Sequence, residues 1–345
     1  MPLHNRVNTN ELRAQARERR EERTTLSFYR YTPIADPVAF RDQLYTDLDA
    51  LGVLGRIYVA QEGINAQASV PTRNLDELRA YLERTPGLSD LRLNLAVEDD
   101  DASFYKLIIK VRPKIVADGL DDASFNPGAG GEHLDAKRFN ELAADPDAVI
   151  VDMRNHYESE VGYFEGAIKP PVDTFRESLP IVEDILEDKR DAPVLMYCTG
   201  GIRCEKASAW FRHRGFKHVY QLDGGIINYA RQVEREGLEN RFRGKNFVFD
   251  ERLGERIGEE VVSRCHQCGT PSDRHVNCAN DRCHLLFLQC EACAKTYRDA
   301  CSHTCAHFAA LPKDEQRATA KEYTFNGQRF PNAHYRADMG ELPVE

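Results

Sequence analysis

The stretch VLMYCTGGIRC, residues 194–204, decides how the middle of this chain folds. Its apolar start is typical of a buried strand that ends at Cys198, and residues 205–211 are typical of a helix. A cysteine between the end of a strand and the start of a helix lies where backbone N–H groups point inward and where the helix dipole favours an anion. The stretch therefore predicts a stabilised Cys198 thiolate with a lowered pKa.

The residues after Cys198 have the composition of an anion-binding loop. Gly200 and Gly201 allow the positive φ angles that a tight loop needs, and Arg203 adds a fixed positive charge that we expect to face the bound anion. Protein phosphatases of the cysteine type need Cys-x5-Arg to hold phosphate, whereas the spacing here is Cys-x4-Arg. The shorter loop favours a single sulfur atom carried on Cys198. The alternative is a buried structural cysteine beside a turn, which leaves the glycines and the arginine unexplained.

Composition and length describe a soluble globular protein of two or three domains. The chain has 345 residues, of which 41% are hydrophobic and 30% charged. No apolar run approaches the ~20 residues of a membrane span, and the arginine-rich residues 1–23 lack the apolar core of a secretory signal. We expect a cytoplasmic protein whose ten cysteines are metal ligands or catalytic groups, not disulfides.

The net charge of −10 argues against a protein that binds nucleic acid nonspecifically over its whole surface, but basic residues cluster locally. Clusters occur in the first segment, on a strand-like run, after the cysteine loop and before the C-terminal module: Arg13, Arg17, Arg19, Arg20 and Arg23; Lys106, Lys110, Arg112 and Lys114; Arg212, His213, Arg214, Lys217 and His218; Arg241, Arg243 and Lys245. A charge run is most often a solvated face. Four such clusters nevertheless allow a basic groove for RNA.

Two folded domains and a cysteine-rich module are predicted from the hydrophobic patterns. Residues 25–118 read β-α-β-β-α-β, the ferredoxin-like α+β arrangement, after a charged arm at 1–24. A linker at 119–132 precedes a second domain at 133–240, in which strands alternate with helices. That alternation predicts an α/β fold with a parallel sheet and helices on both faces. Cys198 then falls at the carboxyl end of a strand, where such sheets bind ligands.

Several segments of the second domain resemble the rhodanese domain. They are residues 151–158 (VDMRNHYE), residues 162–168 (GYFEGAI), the loop of Cys198, Thr199, Gly200, Gly201, Ile202 and Arg203, and residues 223–226 (DGGI). The resemblance implies that Cys198 can carry a persulfide. Sulfurtransferases that act on thiosulfate often have a basic residue directly after the cysteine, and this chain has Thr199 there.

Four residues near the loop have two interpretations each. Asp152, Arg154 and Glu158 are either catalytic carboxylates with a partner arginine, or Arg154 and Glu158 form a buried pair that holds the loop. We favour the buried pair, because structural ion pairs also perturb pKa values. Cys204 either resolves a persulfide or sulfenate on Cys198 or is a plain cysteine at a helix start.

Residues 241–311 carry eight cysteines in pairs, which predicts two tetrahedral metal sites, with zinc as the expected metal. The pairs are Cys265 and Cys268, Cys278 and Cys283, Cys290 and Cys293, and Cys301 and Cys305. We favour an interleaved pairing, in which Cys265 and Cys268 share a metal with Cys290 and Cys293. The reserve ligands are His266, His275, His284, His303 and His307. An iron–sulfur cluster and a metal-free core remain alternatives, and residues 312–345 are expected to be an irregular tail.

The whole chain is similar to the rhodanese-like tRNA uridine hydroxylases. The order of the three parts, the CTGGIRC loop, residues 61–66 (QEGINA) and residues 247–252 (FVFDER) carry this resemblance. It implies oxygen-dependent formation of 5-hydroxyuridine at the wobble position of tRNA, with molecular oxygen as co-substrate. The sequence contains no flavin or haem fingerprint. The alternatives are a sulfurtransferase or persulfide carrier, and a zinc-containing binding module without activity.

Overall fold

A computed structural model describes residues 11, 12, 15, 18, 21–99, 103–122, 124–327 and 332–336. Most of the predicted N-terminal arm, with Arg13, Arg17, Arg19 and Arg20, lies outside the described residues, as does the chain end from residue 337. Among the described helices, none combines the length and the apolar character needed to cross a membrane.

The N-terminal domain is a five-stranded sheet with two helices on one face. Its elements are β1 (Arg23–Tyr31), α1 (Pro37–Ala50), β2 (Leu54–Ala60), β3 (Gly63–Pro71), α2 (Leu75–Arg84), β4 (Asn94–Leu95) and β5 (Leu107–Val111). The strand order is β4-β1-β3-β2-β5, and only the β2–β5 pair is parallel. The ferredoxin-like prediction is confirmed, with β5 added at the edge.

Apolar and polar residues alternate along the strands, so this sheet has one apolar face and one polar face. Leu26, Phe28, Ile57 and Val59 are at most 2% exposed and lie in one core with apolar residues of α1 and α2. Because successive side chains point to opposite sides of a strand, the residues between them face away from the helices. The polar face is therefore free to form part of a site with the next domain.

The central domain contains the predicted parallel sheet, in the strand order β6-β10-β9-β7. Its strands and helices are β6 (Glu132–Leu134), α3 (Ala136–Ala143), β7 (Val149–Asp152), α4 (His156–Ser159), β8 (Gly162–Phe164), α5 (Phe175–Ile185), β9 (Pro193–Tyr197), α6 (Ile202–His213), β10 (His218–Leu222) and α7 (Gly225–Glu236). Separate apolar cores lie on the two faces, one with α5 and α6 and the other with α3 and α7. The α/β prediction is confirmed, although the three-residue strands β6 and β8 are too short to give a sequence pattern.

The C-terminal module is built around the cysteines and includes part of the tail. Its strands and helices are β11 (Phe242–Asn246), β12 (Glu255–Arg256), β13 (His275–Asn277), β14 (Leu286–Leu288), α8 (Glu291–Tyr297), α9 (His303–Ala310) and α10 (Lys313–Thr319). The expectation of an irregular tail is wrong for its first part, because α10 forms and Phe325 packs against Phe308 in the core of the module. The chain end from residue 337 lies outside the described residues. The apolar residues that anchor the tail are too irregularly spaced to reveal this in the sequence.

A buried lysine joins the N-terminal domain to the helix that follows the cysteine loop. Lys206, on α6, is 1% exposed. Its ammonium group donates to Glu62 at 2.9 Å, to Asp118 at 2.6 Å and to the Val116 carbonyl at 3.2 Å. Glu62 belongs to the QEGINA segment and also accepts the backbone N–H of Ile115 at 2.7 Å. This cluster fixes α6, and with it the loop, against the N-terminal domain.

Replacing Lys206 by methionine is expected to lower the free energy of unfolding by about 3–5 kcal/mol, because two carboxylates lose a buried partner. Urea denaturation of the full chain measures the change. Lys217→Met is the matched control, since Lys217 and its partner Asp191 are 67% and 77% exposed. An unfolding free energy equal to that of the control would contradict a clamping role for Lys206.

Candidate active site

The loop after β9 folds around the Cys198 sulfur. The Gly201 N–H donates to Cys198 Sγ at 3.2 Å, and the Ile226 N–H donates to the Cys198 carbonyl at 3.0 Å. Gly201 has φ +100°, and a Cβ there would lie 2.7 Å from the Tyr29 hydroxyl. Glycine is required at this position both for its backbone conformation and for the approach of Tyr29.

The Cys198 thiol is acidic although it is buried. Burial opposes ionisation, but the Cys204 thiol, the Arg203 charge and the backbone N–H groups of Arg203 and Cys204 outweigh it and lower the pKa of Cys198 to about 6. Most of the sulfur is therefore thiolate at neutral pH. Burial and the neighbouring Cys198 thiolate raise the pKa of Cys204. Cys204 therefore stays protonated and donates to Cys198. The structure thus pairs one thiolate with one thiol.

The Arg203 guanidinium binds Glu158, and one of its nitrogens also lies 3.4 Å from the hydroxyl of the loop residue Thr199. Its two terminal nitrogens donate to the two carboxylate oxygens of Glu158, at 2.5 and 2.7 Å. Glu158 is fully buried, and the Thr199 hydroxyl lies 3.4 Å from it. A paired guanidinium still attracts the thiolate electrostatically, but its geometric role is to hold the start of α6 against α4.

Arg154 is paired with Asp152, so the expected pair of Arg154 with Glu158 is wrong. Arg154 Nε and Nη2 donate to the Asp152 carboxylate at 2.9 and 2.6 Å, and the Tyr197 hydroxyl donates to it at 2.7 Å. Both charged residues are fully buried, and neither lines the cavity described next. Their geometry suits a structural role beneath the loop.

A cavity of about 400 Å³ opens over Cys198, between the N-terminal and central domains. The N-terminal domain contributes residues of its polar sheet face, among them Tyr29, Asn65 and Tyr58. Tyr157 comes from the central domain and Phe249 from the FVFDER segment. The QEGINA and FVFDER segments, which carried the family resemblance, therefore both reach the cavity. Reasoning from the sequence missed Tyr29 and Tyr58, because an alternating strand does not reveal what its polar face meets.

Four arginines line the cavity, and for two of them the described part of the chain provides no acidic partner. Arg203 is paired with Glu158, and Arg252 binds Asp250 and Glu255. Within the residues that the structure describes, no carboxylate oxygen lies within the 4.0 Å ion-pair distance of Arg56 or Arg176. The cavity therefore has free positive charge for an anionic substrate such as a phosphodiester.

The eight C-terminal cysteines form two groups of four in the interleaved arrangement. The first group is Cys265, Cys268, Cys290 and Cys293, and the second is Cys278, Cys283, Cys301 and Cys305. Neighbouring sulfurs are 3.6 Å apart in the first group and 3.6–3.7 Å apart in the second. A tetrahedral site with 2.3 Å zinc–sulfur bonds needs about 3.8 Å between sulfurs. Both groups therefore fit a metal ion with four thiolate ligands.

Backbone and amide N–H groups surround the sulfurs of the second group. The Cys301 N–H donates to Cys278 Sγ, the Gly327 N–H to Cys283 Sγ and the Asn280 side chain to Cys305 Sγ, each at 3.3 Å. Such bonds stabilise thiolates and orient metal ligands. None of the five reserve histidines belongs to either group.

Replacing Arg203 by alanine is expected to raise the pKa of Cys198 from about 6, because the variant removes a nearby positive charge and leaves the buried Glu158 carboxylate unpaired. Alkylation of Cys198 by iodoacetamide should then slow several-fold at pH 6–7 and recover at higher pH. Mass spectrometry of the Cys198 peptide across a pH series measures the shift. Arg203→Lys, which keeps the charge, should move the midpoint less. An unchanged midpoint in Arg203→Ala would show that the arginine does not tune the thiol.

Models of known protein families match three parts of the chain. Residues 23–115 match the UPF0176 acylphosphatase like domain, residues 135–232 the rhodanese-like domain, and residues 243–306 the rhodanase C-terminal domain. These matches agree with the three folded parts described above.

Curated relatives match almost the whole chain and share one name, tRNA uridine(34) hydroxylase. The protein of Sodalis glossinidius is 57% identical over 317 residues, which cover 92% of this chain and 90% of the relative. The protein of Pectobacterium carotovorum is 56% identical, with 92% and 89% covered. The protein of Photorhabdus laumondii is 51% identical over 339 residues, with 98% and 96% covered. At this identity and coverage, the chain belongs to the family of the tRNA uridine(34) hydroxylases.

Proposed function

We propose that this protein hydroxylates the wobble uridine of tRNA to 5-hydroxyuridine, with dioxygen as co-substrate and Cys198 as the catalytic residue. The observation that carries the proposal is the acidic Cys198 thiol in the wall of a cavity between two domains. The volume of this cavity, about 400 Å³, lies within the range typical of ligand sites. Arg56, Arg176 and several aromatic rings in the wall of the cavity suit a nucleotide.

The target uridine has to leave the stack of the anticodon loop to react. Cys198 is 1% exposed, so a base that remains stacked cannot reach its sulfur. Enzymes that act on a nucleobase generally extrude it into such a pocket. The rings of Tyr29, Tyr157 and Phe249 offer apolar surfaces that can replace the lost stacking.

The first chemical step that the thiolate supports is addition to the uracil ring. A bond forms between Cys198 Sγ and C6, and the electron pair of the C5–C6 double bond moves to C5 and the adjacent carbonyl. C5 thereby becomes nucleophilic and open to oxygen. In the overall balance, uridine, dioxygen and two thiol equivalents give 5-hydroxyuridine, water and one disulfide. Loss of the C5 proton, together with elimination of Cys198 Sγ from C6 as a thiolate, then restores the C5–C6 double bond.

We assign positioning roles to the charged residues around the loop. Glu158 and Arg203 hold α4 against α6, and Asp152 and Arg154 support the end of β7. Cys204 donates its S–H to the thiolate and stabilises it. Loss of these residues should change the reactivity of Cys198 and leave the substrate contacts in place.

We further propose that both cysteine groups hold zinc with a structural role. Four cysteine ligands leave no open position for substrate or water. Reduced cysteines are also needed for the Cys198 chemistry, which agrees with a cytoplasmic enzyme.

The proposal is tested by mass spectrometry of tRNA nucleosides. Cells that lack the protein should lose 5-hydroxyuridine from the wobble position, and the wild-type chain should restore it. With purified protein, unmodified tRNA and isotopically labelled dioxygen, the label should appear in the base. Unmodified tRNA together with transfer of sulfur from Cys198 to an acceptor would overturn the hydroxylase assignment and support the sulfurtransferase alternative.

A further inference from the structure

The polar face of the N-terminal sheet leads from the Cys198 cavity to an exposed edge. In the strand register, Tyr29 lies opposite Asn65, Asn65 opposite Tyr58, and Tyr58 opposite Lys110. This row crosses four strands. Its first three members line the cavity, whereas Lys110 lies beyond the cavity and is exposed. With strands ~4.8 Å apart, the row is about 14 Å long.

Three cations surround Tyr58 at the outer end of this row. Arg56 precedes it by two residues on the same face of β2, and Lys110 is its partner on β5. The guanidinium of Arg112 lies 5.6 Å from the centre of the Tyr58 ring. We call Arg56, Tyr58, Lys110 and Arg112 the sheet-edge patch.

The cations of the sheet-edge patch are exposed. Considering only the described ranges, no carboxylate oxygen lies within 4.0 Å of any of the three. Elsewhere on the surface, Arg243 binds Glu260 and Arg256 binds Asp273. The patch thus gathers three exposed cations around one half-buried ring, in a chain whose net charge is −10. Such a surface is complementary to a partner that carries both negative charge and flat rings.

We infer that the sheet-edge patch binds the single-stranded RNA next to the target uridine, an inference that rests on the proposed function. Tyr58 stacks on a flanking base, and Arg56, Lys110 and Arg112 contact the phosphates. Open sheet faces with aromatic residues bind single-stranded RNA in this way in other folds. Continuity with the cavity favours RNA over an acidic protein, because one strand can run from the patch to Cys198.

Binding of a synthetic anticodon stem-loop, with an unmodified wobble uridine, tests the inference. The titrations use the full chain with Cys198→Ser, so that no turnover occurs, at several salt concentrations. Tyr58→Ala should weaken binding about 5- to 150-fold, and Tyr58→Phe should bind like the parent. Each of Arg56→Ala, Lys110→Ala and Arg112→Ala should reduce the salt slope by about 0.7. Arg79→Ala is the control, because Arg79 is an exposed arginine on α2, which covers the opposite face.

The outcomes separate this inference from the proposed function. If the wild-type chain hydroxylates tRNA while every patch variant binds the stem-loop like Arg79→Ala, with the same affinity and salt slope, the sheet-edge patch is not the RNA surface. If the wild-type chain neither binds the stem-loop nor modifies tRNA, the proposed function itself fails. A loss of binding in Tyr58→Ala that Tyr58→Phe restores, with unchanged thermal unfolding of both variants, would support stacking by the ring.

Discussion

Replacing Cys198 by serine is expected to lower tRNA hydroxylation about 10³-fold or more, which is the scale of removing a nucleophile. A serine hydroxyl stays protonated at neutral pH, whereas the pKa of Cys198 is about 6 and its sulfur is largely ionised. The measurement is the rate of 5-hydroxyuridine formation with purified protein and unmodified tRNA.

The serine variant should remain folded and should still bind tRNA. Oxygen is slightly smaller than sulfur, and the loop keeps its glycines and its Arg203–Glu158 pair. Cys204→Ser serves as the matched control, because Cys204 is an equally buried cysteine beside the loop. We expect it to retain the chemistry, since a serine hydroxyl can donate a hydrogen bond to the Cys198 thiolate in place of the Cys204 thiol. Hydroxylation by Cys198→Ser at the wild-type rate would refute the catalytic role of Cys198.

Replacing Cys301 by serine is expected to unfold the part of the C-terminal module that surrounds the second cysteine group. Cys301 is fully buried, and its sulfur lies 3.6–3.7 Å from those of Cys305 and Cys283. Structural zinc sites contribute about 10–16 kcal/mol of binding free energy to folding. The loss of one thiolate should therefore lower the zinc content from about two ions per chain to about one.

Elemental analysis and limited proteolysis measure this second effect. His303→Ala is the control, because the sequence makes His303 a candidate metal ligand and the structure places it outside both cysteine groups. It should retain both metal ions and resist proteolysis like the wild type. A Cys301→Ser protein that keeps two zinc ions, or a wild-type protein that contains no metal and still resists proteolysis, would contradict a structural zinc site.

The site residues that could be predicted are those whose geometry is local. Cys198 and its two glycines lie within one strand–loop–helix turn, so the acidic thiol follows from neighbouring residues. Of the two glycines expected to take a positive φ, Gly201 does and Gly200 does not. The four cysteine pairs are also local, because a spacing of two to four residues already brings two sulfurs near one metal. The domain order and the parallel sheet follow from hydrophobic periodicity.

The choice of partners inside the core was not predictable from the sequence. Asp152, Arg154, Glu158 and Arg203 are all charged, but only the packing of α4 against α6 decides that Arg203 binds Glu158 and leaves Arg154 to Asp152. The sequence analysis did not predict the helix α10 or the packing of Phe325 in the module core, for a related reason. Their stability comes from contacts with the cysteine module and not from any local pattern.

Sequence by itself thus determined the cysteine loop, the three folded parts and the four cysteine pairs, because each depends on residues close together in the chain. Only the tertiary structure decided what surrounds that cysteine. Tyr29, Asn94 and Phe249 reach the Cys198 cavity from distant segments, and the exposed cations beside Tyr58 become one surface through strand pairing. Which faces meet depends on the docking of whole domains through contacts such as Lys206 with Glu62 and Asp118, and no local spacing encodes that docking.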